Sequence, residues 1–129
     1  MRREPTVANL LETARTVLRD AVLPRLPSAA RYETLMVANA MAIAGRQLAA
    51  GDRPLNEARA RLAALYAVPD QSLVDLERRL ANDVRSGVFD AQTPRRTTVF
   101  AHLLATARAA AEESNPKALS GRETSEEQA

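Results

Sequence analysis

The chain has 129 residues and a mass of 14.0 kDa, is 46% apolar but only 3% aromatic, and contains no cysteine. That length suits one domain whose core needs no metal or disulfide, and the missing thiols exclude cysteine catalysis, disulfide frameworks and Cys-based zinc sites. The net charge is only +2, and the pI of about 9.7 follows from near-total use of arginine over lysine, so it does not mark a nucleic-acid surface.

Apolar residues recurring at helical spacing, punctuated by proline and glycine, predict five helices. The first runs from about Thr6 to Leu23, with Val7, Leu10, Leu11, Ala14, Val17 and Leu18 on its inner stripe. Proline lacks an amide and restricts the residue before it, so "LPRLPS" ends that helix. Ser28 is the expected cap of the second helix, about Ala29 to Ala50, and Gly51 its end. Pro54 opens the third helix, with Leu55, Ala58, Leu62, Leu65 and Tyr66 inward. Pro69 stops it and Asp70 is the expected cap of the fourth, which carries Leu73, Leu76, Leu80 and Val84 and ends at Gly87. Thr93 and Pro94 start the fifth, whose core side includes Val99, Phe100, Leu103, Leu104 and Ala107. The expected architecture is therefore all-α, a single five-helix bundle over residues 1–116 with a short disordered C-terminal tail over 117–129.

The second helix raises the functional question. "LMVANAMAIAGRQL" is the most apolar run in the chain, yet it contains Asn39 and Arg46. At about 100° per residue, Tyr32, Asn39, Ile43 and Arg46 share a narrow stripe, while Val37, Met41, Ala44 and Leu48 lie opposite. A helix apolar on both sides is buried in a bundle or sits at an oligomer interface, and a buried guanidinium or amide there needs partners. Asp83 is the expected partner of Arg46. Tyr32, Asn39, Arg46 and Asp83 thus form either a structural polar network or the inter-helix pocket of a small-molecule binder or weak enzyme, suited to a carboxylate or phosphate such as an acyl-CoA carries.

Other classes of site are poorly represented. The single histidine, His102, falls with Arg95, Thr98 and Thr106 away from the apolar side of its helix, and reads as a surface residue. No metal site, cofactor or phosphate-cradling glycine loop is expected. "ARLAALYAVPDQSLVDLERRL" scans loosely as a helix-turn-helix, but its second helix would present Asp75 and Glu77 to phosphates, which opposes nucleic-acid binding. The run from Leu35 is shorter than the roughly 20 residues a membrane span needs, and "MRREPTVANLLE" lacks the apolar core of a signal peptide. A cytoplasmic location is the expectation.

Taken in order, "TVANLLETARTVLRDAVLPRL", "VANAMAIAGRQL", "LANDVRSGVFD" and "NPKAL" resemble the landmarks of a family of small, uncharacterised helical bacterial proteins, a domain of unknown function. The resemblance spans about Pro5 to Leu119. Members tend to be encoded beside aminoglycoside-phosphotransferase-like kinases and acyl-CoA dehydrogenases. This implies a non-catalytic accessory role with such a kinase or dehydrogenase as partner; a homodimer through an apolar helix face is a further expectation. The family pattern has Arg-Glu where this chain reads Arg46-Gln47, and often an aromatic residue at the position of Ala118.

Overall fold

The computed structural model describes residues 4–120; all five expected helices are present, and there is no strand among the described residues. The helices sort into two units, one comprising Met1–Gly51 with Glu112–Ala129, the other Asp52–Ala111.

In the first unit, α1 (Val7–Val17) starts where the Thr6 hydroxyl accepts the Asn9 amide at 3.2 Å. The helix expected to reach Leu23 changes pitch twice. A π turn over Leu18–Val22 carries a bond from the Leu23 amide to the Leu18 carbonyl, and a 3₁₀ turn over Leu23–Arg25 follows. Pro24 has no N–H to extend an α ladder, and Leu26 leaves the helix in an extended conformation. The long α2 (Ser28–Ala50) then packs along α1. Ser28, the expected cap, is instead its first helical residue. The cap position is Pro27, whose carbonyl accepts the amides of Ala30 and Arg31 at 3.0 and 3.2 Å. Gly51, with φ of 57°, closes the helix as expected. Ala38 is the one fully buried residue of this unit among those described. The stretch expected to be tail begins as a helical turn over 117–120; residues 121–129 lie outside the described residues.

The second unit contains α3 (Arg53–Tyr66), α4 (Leu73–Arg85) and the larger part of α5 (Pro94–Ser114). Leu62, Tyr66, Leu76, Leu80, Phe89 and Val99 form its core. Leu55, expected inside, is exposed, and Phe89, from the loop after α4, supplies an aromatic ring that no helical pattern contains. α3 ends with Ala67 in the left-handed region, and the Val68 amide reaches back to the Ala63 carbonyl at 3.0 Å. The expected Asp70 cap is replaced by Ser72, whose hydroxyl accepts the Asp75 amide at 3.2 Å. Ser72 lies immediately before Leu73 and so reaches the free amides of the first turn. Gly87 takes φ of 77°, with the Val88 amide bonded to the Asp83 carbonyl at 3.0 Å, the closing pattern expected for α4. No helix among the described residues is long and apolar enough to cross a membrane.

Candidate functional site

Asn39 and Arg46 of α2 open onto a groove of about 360 Å³ in the first unit. Leu35, Ala38, Asn39, Ala42 and Arg46 recur at spacings of three and four, so they form one face of α2. Ala38 and Ala42 are small and leave space beside the backbone, while Asn39 and Arg46 provide the polar ends. Across the groove, Arg15 and Arg19 stand one turn apart on α1 and the π turn that continues it. The segment Ser114–Lys117 supplies the remaining wall, where Asn115-Pro116 interrupts the helical path. Lys117 is the only lysine of the chain.

The charge balance of this groove is one-sided. Arg15, Arg19, Arg46 and Lys117 line it, and no carboxylate does. The Arg46 Nε–H donates to the Glu113 carbonyl at 2.6 Å, which fixes the guanidinium plane and leaves its two terminal amino groups without a hydrogen bond among the described residues. Arg15 donates from Nη1 to Glu12 at 3.3 Å, while its Nε is buried and has no partner among the described residues. A buried N–H left unpaired costs free energy that an incoming acceptor recovers. Arg15 and Arg46 also border a second groove of about 350 Å³, with Ala8, Asn9, Glu12 and Gly45. The two arginines are thus a wall between neighbouring hollows.

Of the four residues singled out from sequence, Asn39 and Arg46 lie in the same groove. Asn39 is exposed and makes no side-chain hydrogen bond among the described residues, so it is not part of a buried network. Tyr32, two turns before Asn39, is 69% exposed and is not among the lining residues. Asp83 belongs to the second unit. There its carboxylate accepts the Tyr66 hydroxyl at 2.7 Å and lies 4.0 Å from the Arg79 guanidinium, which itself stacks 4.0 Å from the Tyr66 ring centroid. Burial, with the Asp83 carboxylate beside it, pushes the Tyr66 phenol up to about 12. Sequence reasoning missed Arg15, Arg19 and Lys117. The available signal was the i, i+4 spacing of the two arginines along the first helical stretch.

His102 corrects another expectation. It is 5% exposed, not a surface residue, because Arg61 from α3 donates its Nε–H to the imidazole Nδ1 at 3.2 Å and satisfies a buried acceptor. Burial and the Arg61 charge lower its pKa, against an opposing pull from Glu77.

A family model described as Domain of unknown function (DUF6285) matches residues 24–118. The chain belongs to this family. The DUF6285 span includes Asn39, Arg46 and Lys117, whereas Arg15 and Arg19 precede it. No curated protein and no solved structure gives a significant match.

Proposed function

We propose that this DUF6285 protein is a non-catalytic binding protein whose first unit holds an anionic group, a phosphate or carboxylate, in the groove between Arg15, Arg19, Arg46 and Lys117. The observation that carries the reading is four cationic side chains and two amides on one groove without a lining carboxylate. Like charges gathered this way repel one another, so the arrangement costs stability unless an anion is part of the occupied state. The two free amino groups of Arg46 offer a fork to two oxygens, and Asn39 can donate or accept beside it. With neither carboxylate nor imidazole in the lining, the groove has no conventional general base, and this favours binding over catalysis.

An accessory role beside a phosphotransferase-like kinase or an acyl-CoA dehydrogenase is the second reading. It accords with the first, since both classes handle phosphate-bearing molecules. Exposed apolar side chains on α2, among them Met36 and Val37, favour contact with another protein.

Thermal unfolding and calorimetric titration with inorganic phosphate, a phosphate monoester and citrate test the proposal. An anion at roughly 100 times its Kd adds about 2.7 kcal/mol of stability. The wild type should show such a shift, and Arg46→Met should lose it while folding normally. If none of the three anions binds the wild type at low ionic strength, the proposal fails.

A further inference from the structure

A third groove, of about 440 Å³, lies wholly within the second unit. One wall is Leu103 and Thr106 of α5, with His102 beside them; the other is a single face of α4, Glu77, Leu80, Ala81, Val84 and Arg85. Its lining is apolar in the middle, and Val84 and Leu103 remain 48% and 44% exposed. The charges on α4 are divided in an informative way. Asp75 pairs with Arg78, and Asp83 with Arg79 and Tyr66. The side chains of Glu77 and Arg85, which flank the groove, make no hydrogen bond or ion pair among the described residues.

Glu77 and Arg85 are placed symmetrically about Ala81, four residues to either side. The three therefore lie on one i, i+4 ridge, with an acid at one end, a base at the other and the smallest side chain at the centre. A two-fold axis through Ala81 reverses that ridge. Glu77 of one copy then meets Arg85 of the other at both ends, and the two alanines let the backbones approach. Ridges of this type align when helices cross at about 50°, the commonest packing angle in globular proteins. Such self-complementarity is what an isologous interface requires.

We propose that α4 is the interface of a homodimer, crossing its two-fold mate at Ala81, with reciprocal Glu77–Arg85 pairs closing the ends and Val84 and Leu103 covered between them. The site is distinct from the anion groove and does not depend on it.

Sedimentation equilibrium on the full chain provides the test, using the wild type, Glu77→Arg, Arg85→Glu and a mixture of the two variants. The wild type should dimerise by roughly 0.1 mM, a concentration at which interfaces of ordinary size are populated. Each variant alone places like charges at both ends and should dimerise about tenfold or more weakly. In the mixture, one chain carries two arginines and the other two glutamates, so both end pairs are restored and a heterodimer should form. This last arm separates loss of pairing from loss of folding. A monomeric wild type overturns the proposal and leaves the groove to a different partner. It is overturned equally if the single variants match the wild type, or if the mixture stays monomeric.

Discussion

Asp83 does structural work through Tyr66. The phenol donates to it at 2.7 Å while Arg79 stacks over the ring, so one carboxylate ties α3 to α4 at the edge of the core. Tyr66→Phe should cost about 1–1.5 kcal/mol in urea denaturation, the usual net worth of such a bond. The same contact sets an alkaline dependence. Because the folded phenol titrates at about 12 rather than 10, the unfolded chain gives up its proton first, and stability falls as pH rises from about 10 towards 12. Tyr66→Phe should remove that part of the alkaline decline. His102 acts at the other end of the scale. Its folded pKa lies below its ordinary value, so below about pH 6.5 the unfolded chain binds the proton more readily and stability falls with pH. As the only histidine, it allows a clean control: His102→Gln should flatten the part of the dependence that sets in below about pH 6.5.

These two residues also show where single-helix reasoning ends. A wheel drawn on the fifth helix puts His102 among arginine and threonine, and nothing within that helix reveals that Arg61, 41 residues earlier, covers it. Asn39 fails in the opposite sense: its apolar neighbours suggest burial, yet α2 leaves it at the mouth of a groove. Arg46 was legible because a guanidinium in an apolar run demands an explanation. Its Glu113 partner was not, since a backbone carbonyl carries no residue-type signal.

At the level of elements, the helices were legible from periodicity and their ends only in part. Glycine and proline marked Gly51, Pro54 and Gly87 correctly because each acts through its own backbone. Ala67 gave no such sign, since alanine seldom adopts φ of 54°. That position makes a sharp prediction. Ala67→Gly should stabilise the protein by up to about 1 kcal/mol, because the left-handed penalty outweighs the entropy glycine adds to the unfolded chain. Gly87→Ala should do the reverse, by about 1–2 kcal/mol, since it forces an alanine into the left-handed region. A Cβ there would sit 2.7 Å from an Asp90 carboxylate oxygen. Denaturant midpoints of the two variants should move in opposite directions.

Across the molecule, the apolar core is unevenly distributed. The cluster around Leu62 and Leu76 belongs to the second unit, whereas the first has only Ala38 fully buried among its described residues. Helices with little buried apolar surface open locally at low free energy. Phosphate bound in the anion groove should therefore slow amide exchange in α1, α2 and 112–120, and leave the core amides of α3 and α4 unchanged. Uniform protection across both units would point to a different binding place.

The composition of the anion groove has a practical corollary. Since Lys117 is the only lysine, an amine-reactive dye at mildly alkaline pH has a single side-chain target, at the rim of that groove. Labelling competes directly with any occupant that draws on the same ammonium. Protection of Lys117 from modification, read by peptide mass, would thus report occupancy in a mixture of unknown metabolites, with no engineered reporter and no prior choice of ligand.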